Sequence, residues 1–173
     1  MNSTQPALFV PHGAPTFALR PGAAGAALTT IAHTLSRPRA IVIVSAHWDT
    51  AMPTVGFADR PETIHDFWGF PKELYTLHYP ATGCREAAQE VAAAIEAVGL
   101  PVQVDPQRGL DHGAWIPLRL MFPDADVPVI PLSIQSLGGS EAAYRLGRAL
   151  TPLTARGFLV IASGNLTHNL RDF

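Results

Sequence analysis

Short apolar runs rich in β-branched side chains recur along the chain, each ending at a small or polar residue. Ala7-Leu8-Phe9-Val10, Ile41-Val42-Ile43-Val44, which runs on through Ser45-Ala46, and Phe158-Leu159-Val160-Ile161-Ala162 are apolar without alternation. Such runs read as strands buried on both faces, the kind found in parallel sheets. Thr54-Val55-Gly56-Phe57 and Val102-Gln103-Val104 are shorter β-leaning pieces. Val127 to Ile134 reads as another strand, with Pro128 and Pro131 making its hydrogen bonding irregular. Helical stretches lie between. Arg85 to Val98 carries Ala, Glu and Gln throughout and stops at Gly99, with Pro101 behind it. The small-residue segment 21–30 runs on through Ile31, Ala32 and Leu35 as a helix that Pro38 stops, and Glu141 to Leu150 is a further helix. Strands alternating with helices predict an α/β fold: a single domain, residues 1–173, with a central, largely parallel sheet flanked by helices.

Residues 60–83 break this pattern. They hold Pro61, Gly69, Pro71, Pro80 and Gly83 among five aromatic side chains. Irregular segments of that length in compact domains are often functional.

Composition narrows the function. A chain of 173 residues with 47% hydrophobic content can bury one sizeable core. The net charge of −2, with no basic or acidic block, argues against nucleic acid or an anionic membrane surface as partner. No apolar run approaches the roughly 20 residues of a membrane span. Met1 to Pro15 lacks the basic cluster and apolar core of a secretory signal. Cys84 is the only cysteine, which fits a reducing compartment. A cytoplasmic protein is the expectation.

The chemistry-bearing residues sit where the apolar runs end. His12 follows the first run within Pro11-His12-Gly13-Ala14-Pro15, and His47 follows the second within Ser45-Ala46-His47-Trp48-Asp49. His168 follows the last, within Ser163-Gly164-Asn165-Leu166-Thr167-His168. Open parallel sheets bind ligands at the carboxyl ends of their strands, so these imidazoles are candidates for one metal or acid–base site. Each also has a plainer reading as a turn histidine. Asp49, two residues beyond His47 on an extended chain, shares its face and is a candidate to orient it. Trp48 either packs beside the site or closes the core.

His112 lies in Gly109-Leu110-Asp111-His112-Gly113-Ala114-Trp115-Ile116-Pro117, whose glycines and proline suggest a shaped loop. Asp111 and His112 suit an acid–base pair, or Asp111 caps a helix starting nearby; both can hold. His65, in Thr63-Ile64-His65-Asp66-Phe67-Trp68, stands among aromatics that suit a pocket for a flat substrate or a partner surface. There is no G-x-S-x-G elbow and no Gly-rich phosphate loop. Neutral imidazoles on a rigid strand edge suit iron or zinc.

Taken in order, Leu8 to Leu19 (LFVPHGAPTFAL), Ser45 to Asp49 (SAHWD), Thr63 to Tyr75 (TIHDFWGFPKELY), Gly109 to Leu120 (GLDHGAWIPLRL) and Ser163 to Phe173 (SGNLTHNLRDF) resemble the class III extradiol ring-cleaving dioxygenases. The nearest branch is the one related to DOPA 4,5-dioxygenase. The resemblance implies a non-haem iron(II) site, with zinc known at the same position in this branch. His12 and His47 match the family's metal-binding histidines. His168 matches a histidine described as a ligand or as the acid–base residue, and His112 matches a second active-site histidine facing the substrate. His65, Trp48 and Asp111 then fall to the substrate pocket. The implied reaction inserts dioxygen into a catechol ring beside its two hydroxyls, and the implied partners are that small aromatic substrate and dioxygen, with homo-oligomers allowed.

The family usually has serines where Pro11 and Ala14 stand, and small residues at the position of Asn165. Its members continue past Phe173 and supply a further metal-site histidine or glutamate, so the resemblance implies a C-terminally incomplete chain. The competing functional readings are a zinc-dependent hydrolase, a non-catalytic metal-binding protein, and an interaction module presenting the aromatic loop.

Overall fold

The computed structural model describes residues 3–165. Six strands form one sheet: β1 (Ala7–Val10), β2 (Ala40–Asp49), β3 (Thr54–Gly56), β4 (Gln103–Asp105), β5 (Val129–Ile134) and β6 (Phe158–Ser163), in the order β1-β6-β2-β5-β3-β4. Every pairing is parallel except β3 with β5. The α/β architecture expected from the apolar runs is therefore present, with one antiparallel contact. That contact is limited to Val55 opposite Leu132. Gly56 is what lets β3 approach here, since a Cβ on it would lie 2.4 Å from the Pro131 ring.

Alternation along β2 explains the two covering layers. Ile41 and Ile43 join a core with Leu28 of α1 (Gly22–Thr34) and Trp115, Ile116 and Leu118 of α3 (His112–Met121). Ala40 and Val42 face the other way, onto Val91 and Ile95 of α2 (Arg85–Glu96) and Leu146 and Leu150 of α4 (Gly139–Thr154). Successive strand side chains point to opposite faces, so a strand covered on both faces is apolar at every position.

One expectation is corrected. The segment around His112 is not a shaped loop but the start of α3, which contains Pro117. Asp111 caps it, its side chain accepting from the Ala114 N–H at 3.1 Å. Capping satisfies one of the backbone donors that every helix start leaves open. Pro117 has no N–H, so the Gly113 carbonyl four residues earlier loses its helical partner.

The irregular segment 60–83 is pinned rather than loose. A parallel bridge between Thr63 and Leu110 ties it to the loop before α3, with Ile64 N donating to Leu110 O and Leu110 N to Glu62 O, each at 2.7 Å. The fully buried Trp115 donates its Nε1–H to Ile64 O at 3.1 Å.

Candidate metal centre

β1, β6 and β2 are neighbours and parallel, so their carboxyl ends fall on one edge of the sheet. Val10 pairs with Ser163, and Ser163 with Ser45, which puts these three residues in one row. His12 and His47 each come two residues beyond that row. Register alone therefore brings two imidazoles separated by most of a βαβ unit to one place. The third arrives from outside the sheet: α3 starts at the same edge and delivers His112 in its first turn.

The three rings touch. Their centroids lie 4.8 Å (His12–His47), 4.0 Å (His47–His112) and 5.4 Å (His12–His112) apart. One ligand nitrogen from each can be chosen so that all lie within 4.8 Å of one another. His12 Nδ1 stands 2.9 Å from Ser163 Oγ, and Ser163 donates its own hydrogen to the Gly113 carbonyl that Pro117 left open. Ser163 Oγ must then accept from His12 Nδ1–H. That assignment leaves His12 Nε2 as an unprotonated lone pair.

His12 Nε2 faces His47 Nε2 at 3.0 Å. Either a proton on His47 or a cation belongs between them. Two nitrogens each about 2.1 Å from one ion stand about 3 Å apart when they subtend roughly a right angle. The donor set, its spacing and the tautomer fixed behind His12 all fit a borderline divalent metal.

Asp66 supports the other two imidazoles. Its carboxylate accepts the His112 backbone N–H at 2.8 Å. Its Oδ1 lies 3.0 Å from His112 Nδ1, close enough for electrostatic attraction though off the line of a hydrogen bond. Its Oδ2 lies 3.8 Å from His47 Nδ1. Burial pushes the Asp66 carboxyl up, but the His112 ring and N–H beside it outweigh burial and hold it below the usual carboxylate range. Behind the site, Asp111 accepts from Ser45 Oγ at 2.5 Å and pairs with Arg108, whose guanidinium stacks 4.6 Å from the Trp48 ring. This ties the end of β2 to the start of α3.

In front of the imidazoles lies a cavity of about 310 Å³, lined by His47, His112, Asp66, Pro15 and the aromatic side chains of Phe67, Trp68 and Phe70. Aromatic walls with a few convergent polar groups are the usual make-up of a small-molecule site.

Residues 22–173 match the family model described as the catalytic LigB subunit of aromatic ring-opening dioxygenase. The chain belongs to this family. A protein of Escherichia coli K12 named 4,5-DOPA dioxygenase extradiol is 43% identical over 173 residues, covering 99% of this chain and 63% of that protein. One of the same name from Beta vulgaris is 47% identical over 133 residues, covering 76% of this chain and 50% of its own length. A crystal structure from Escherichia coli K12, described as that of an uncharacterized protein, superposes with TM-score 0.78 at 36% identity, over 96% of this chain and 62% of its own. The chain thus spans between half and two thirds of these relatives.

Among the residues singled out in the sequence of this family member, the structure brings His12, His47 and His112 together. His168 lies outside the described residues. Asp111 stands one step behind the imidazoles as the α3 cap. Trp48 is buried under Arg108, and His65 turns its Nε2 to Leu77 O at 3.0 Å; neither is among the residues lining the cavity. Asp49 does not serve as the orienting carboxylate expected for His47. It binds the backbone N–H of Ser136 at 2.9 Å and the Ser136 hydroxyl. Asp66 is the carboxylate facing His47, and sequence reading passed over it. The signal was the adjacent His65-Asp66 pair: neighbours on an extended segment point opposite ways, so His65 turned to Leu77 leaves Asp66 turned to the site.

Proposed function

We propose that this chain carries the metal site of an extradiol dioxygenase that opens a catechol-type ring with dioxygen. The observation that carries the reading is the convergence of His12, His47 and His112, the last two lining an aromatic-walled cavity, in a chain of the ring-opening dioxygenase family. His12 and His47 would hold the ion, and iron(II) there would supply the redox-active Lewis acid that ring opening by dioxygen requires. Zinc suits the same imidazoles as a competing, non-redox occupant.

The chain's own residues do the rest. Phe67, Trp68 and Phe70 receive the flat ring and shed water from it. Ser163 keeps His12 in the tautomer whose Nε2 turns a lone pair toward His47. Asp66 holds the His112 Nδ1 side, which leaves Nε2 as the nitrogen that meets substrate. We assign His168 as the base that takes a catechol proton, or as a third ligand; base catalysis of this kind is typically worth about 10²- to 10⁴-fold. A reducing cytoplasm, where iron(II) persists, is the matching compartment. The relatives' names point to DOPA among catechols.

The test is to load the natural full-length protein with iron(II) without air, add a substituted catechol, then admit oxygen. Oxygen uptake with a yellow ring-opened product is expected. No uptake by iron-loaded protein with His12 and His47 intact would overturn the reading. Zinc-loaded protein should be inactive, whereas a hydrolase would work with zinc.

A further inference from the structure

The sheet itself holds the stretch around His47 poorly. β2 pairs with β6 only as far as Ser45 opposite Ser163, and its register with β5 is interrupted between Val44 and Asp49. Residues 46–48 therefore have no register partner on either side. Irregularities of this kind bend a strand and re-aim its side chains. Something other than the ladder has to fix where His47 stands. Arg108 is at the centre of the contacts that do so. Its guanidinium pairs with Asp111 and lies 4.6 Å from the Trp48 ring. Asp111 Oδ1 accepts from Ser45 Oγ at 2.5 Å, and Ser45 Oγ accepts the backbone N–H of His47 at 3.2 Å. The strand is thus gripped just before His47, through Ser45, and just after it, at Trp48. Asp111 also precedes His112 and caps its helix. The fit leaves no slack, since a Cβ on Gly113 would fall 2.9 Å from His47 Cδ2 and 3.2 Å from Asp111 Oδ1. A largely buried ion pair is a poor device for stability alone, because desolvation offsets much of the attraction. Arg108 Nε is moreover buried without a hydrogen-bond partner among the described residues. What the pair positions accounts for it better.

We propose that Arg108 is a positioning residue of the metal centre: through Asp111 and Trp48 it sets where His47 stands relative to His112, whose ring centroid lies 4.0 Å away. It acts at a distance, being neither in the imidazole cluster nor among the residues lining the cavity. The proposal rests on the metal-centre reading, and the dioxygenase reading enters only one of its assays. Partners one step behind a metal ligand are typically worth about 10- to 100-fold in metal affinity or activity. Lysine cannot replace a planar guanidinium that both pairs and stacks.

The experiment loads the natural full-length protein with cobalt(II), whose visible absorption bands report ligand geometry, and measures cobalt affinity against a competing chelator. The variants are Arg108→Gln, Arg108→Lys, Asp111→Asn and the double Arg108→Gln/Asp111→Asn. Ile95→Ala, fully buried on the opposite face of the sheet, controls for lost stability. Arg108→Gln should shift the bands and weaken cobalt binding about 10- to 100-fold, with a smaller loss in Arg108→Lys. The double variant should be no worse than the poorer single one, because the two residues act as one unit. Ile95→Ala should lower Tm and leave bands and affinity at wild-type values. With iron(II), kcat for a substituted catechol should fall in the same order as cobalt affinity. Wild-type bands and affinity in both Arg108 variants, whatever their Tm, would overturn the proposal and leave Arg108 a strut. Additive losses in the double variant would overturn it too, since Arg108 would then act apart from Asp111. If Arg108→Gln does not fold, the bands of Arg108→Lys decide. Wild type that binds cobalt but opens no catechol would sink the dioxygenase reading and leave this test intact. Wild type that takes up no cobalt would overturn the metal centre and this proposal together.

Discussion

Ser163→Ala removes one hydroxyl that holds three elements together at the metal centre. In the structure Ser163, buried at the end of β6, accepts from His12 Nδ1–H at 2.9 Å and donates to the Gly113 carbonyl in the first turn of α3. Pro117 cannot supply that carbonyl with a helical donor, so the hydroxyl is not redundant. Leaving such buried groups unpaired costs about 1–3 kcal/mol. For a chain of this size that lowers Tm by roughly 2–4 °C per kcal/mol. The functional consequence is separate. Without the acceptor at Nδ1, the His12 ring loses what fixes its tautomer and orientation, and partners of this kind are worth about 10- to 100-fold in metal affinity. Thermal unfolding of the metal-free protein measures the first effect, and competition against a chromogenic chelator the second. A variant that unfolds earlier yet binds metal as tightly as wild type would refute the tautomer argument and leave Ser163 a strut. Unchanged values in both assays would refute the network itself.

His12→Ala and His47→Ala should each abolish stoichiometric metal binding, measured by metal analysis after dialysis, while the far-UV circular dichroism spectrum stays native-like. Gly113→Ala should damage the site from the helix side, since its Cβ would sit 2.4 Å from Ser45 Oγ and 2.9 Å from His47 Cδ2; overpacking of this kind costs about 1–3 kcal/mol in denaturant unfolding and should also weaken chelator competition. Trp115→Ala should cost about 3–5 kcal/mol in the same unfolding assay, because the ring is fully buried and its N–H tethers Ile64 beside the cavity. Glu90 is held below the usual carboxylate range first by its hydrogen bond from Arg39, with Arg156 also contributing. A carboxyl depressed in the folded state stabilises above its unfolded pKa, about 4.3, and that contribution is lost as pH falls through the lower folded value. Wild type should therefore exceed Glu90→Gln in stability at neutral pH and converge with it in acid-unfolding curves as pH falls through the depressed folded-state value.

The sequence by itself determined the strands, most of the helices and, as candidates, all three imidazoles, His112 among them without the helix that carries it. Short β-branched apolar runs read as strands, and His12 and His47, just past two of them, are placed at the sheet's ligand-binding edge; that β2 is covered on both faces while the edge strand β1 leaves Phe9 59% exposed was not legible from the runs themselves. The ordered motifs likewise named the family. What the tertiary structure decided was everything that depends on neighbours distant in sequence. Strand order puts β6 between β1 and β2, and only that order places Ser163 where it can fix His12. The arrival of His112 depends on α3, which local pattern hid because glycine and proline within it read as a loop; tertiary packing of Trp115, Ile116 and Leu118 and the Asp111 cap outweigh those propensities. Asp66 was silent for a similar reason, since an irregular segment has no period from which to read which side chain turns inward. Periodicity reports the solvent and core faces of regular elements, whereas a site assembled from strand ends, a helix start and a loop is defined by register and packing, which no single stretch of sequence contains.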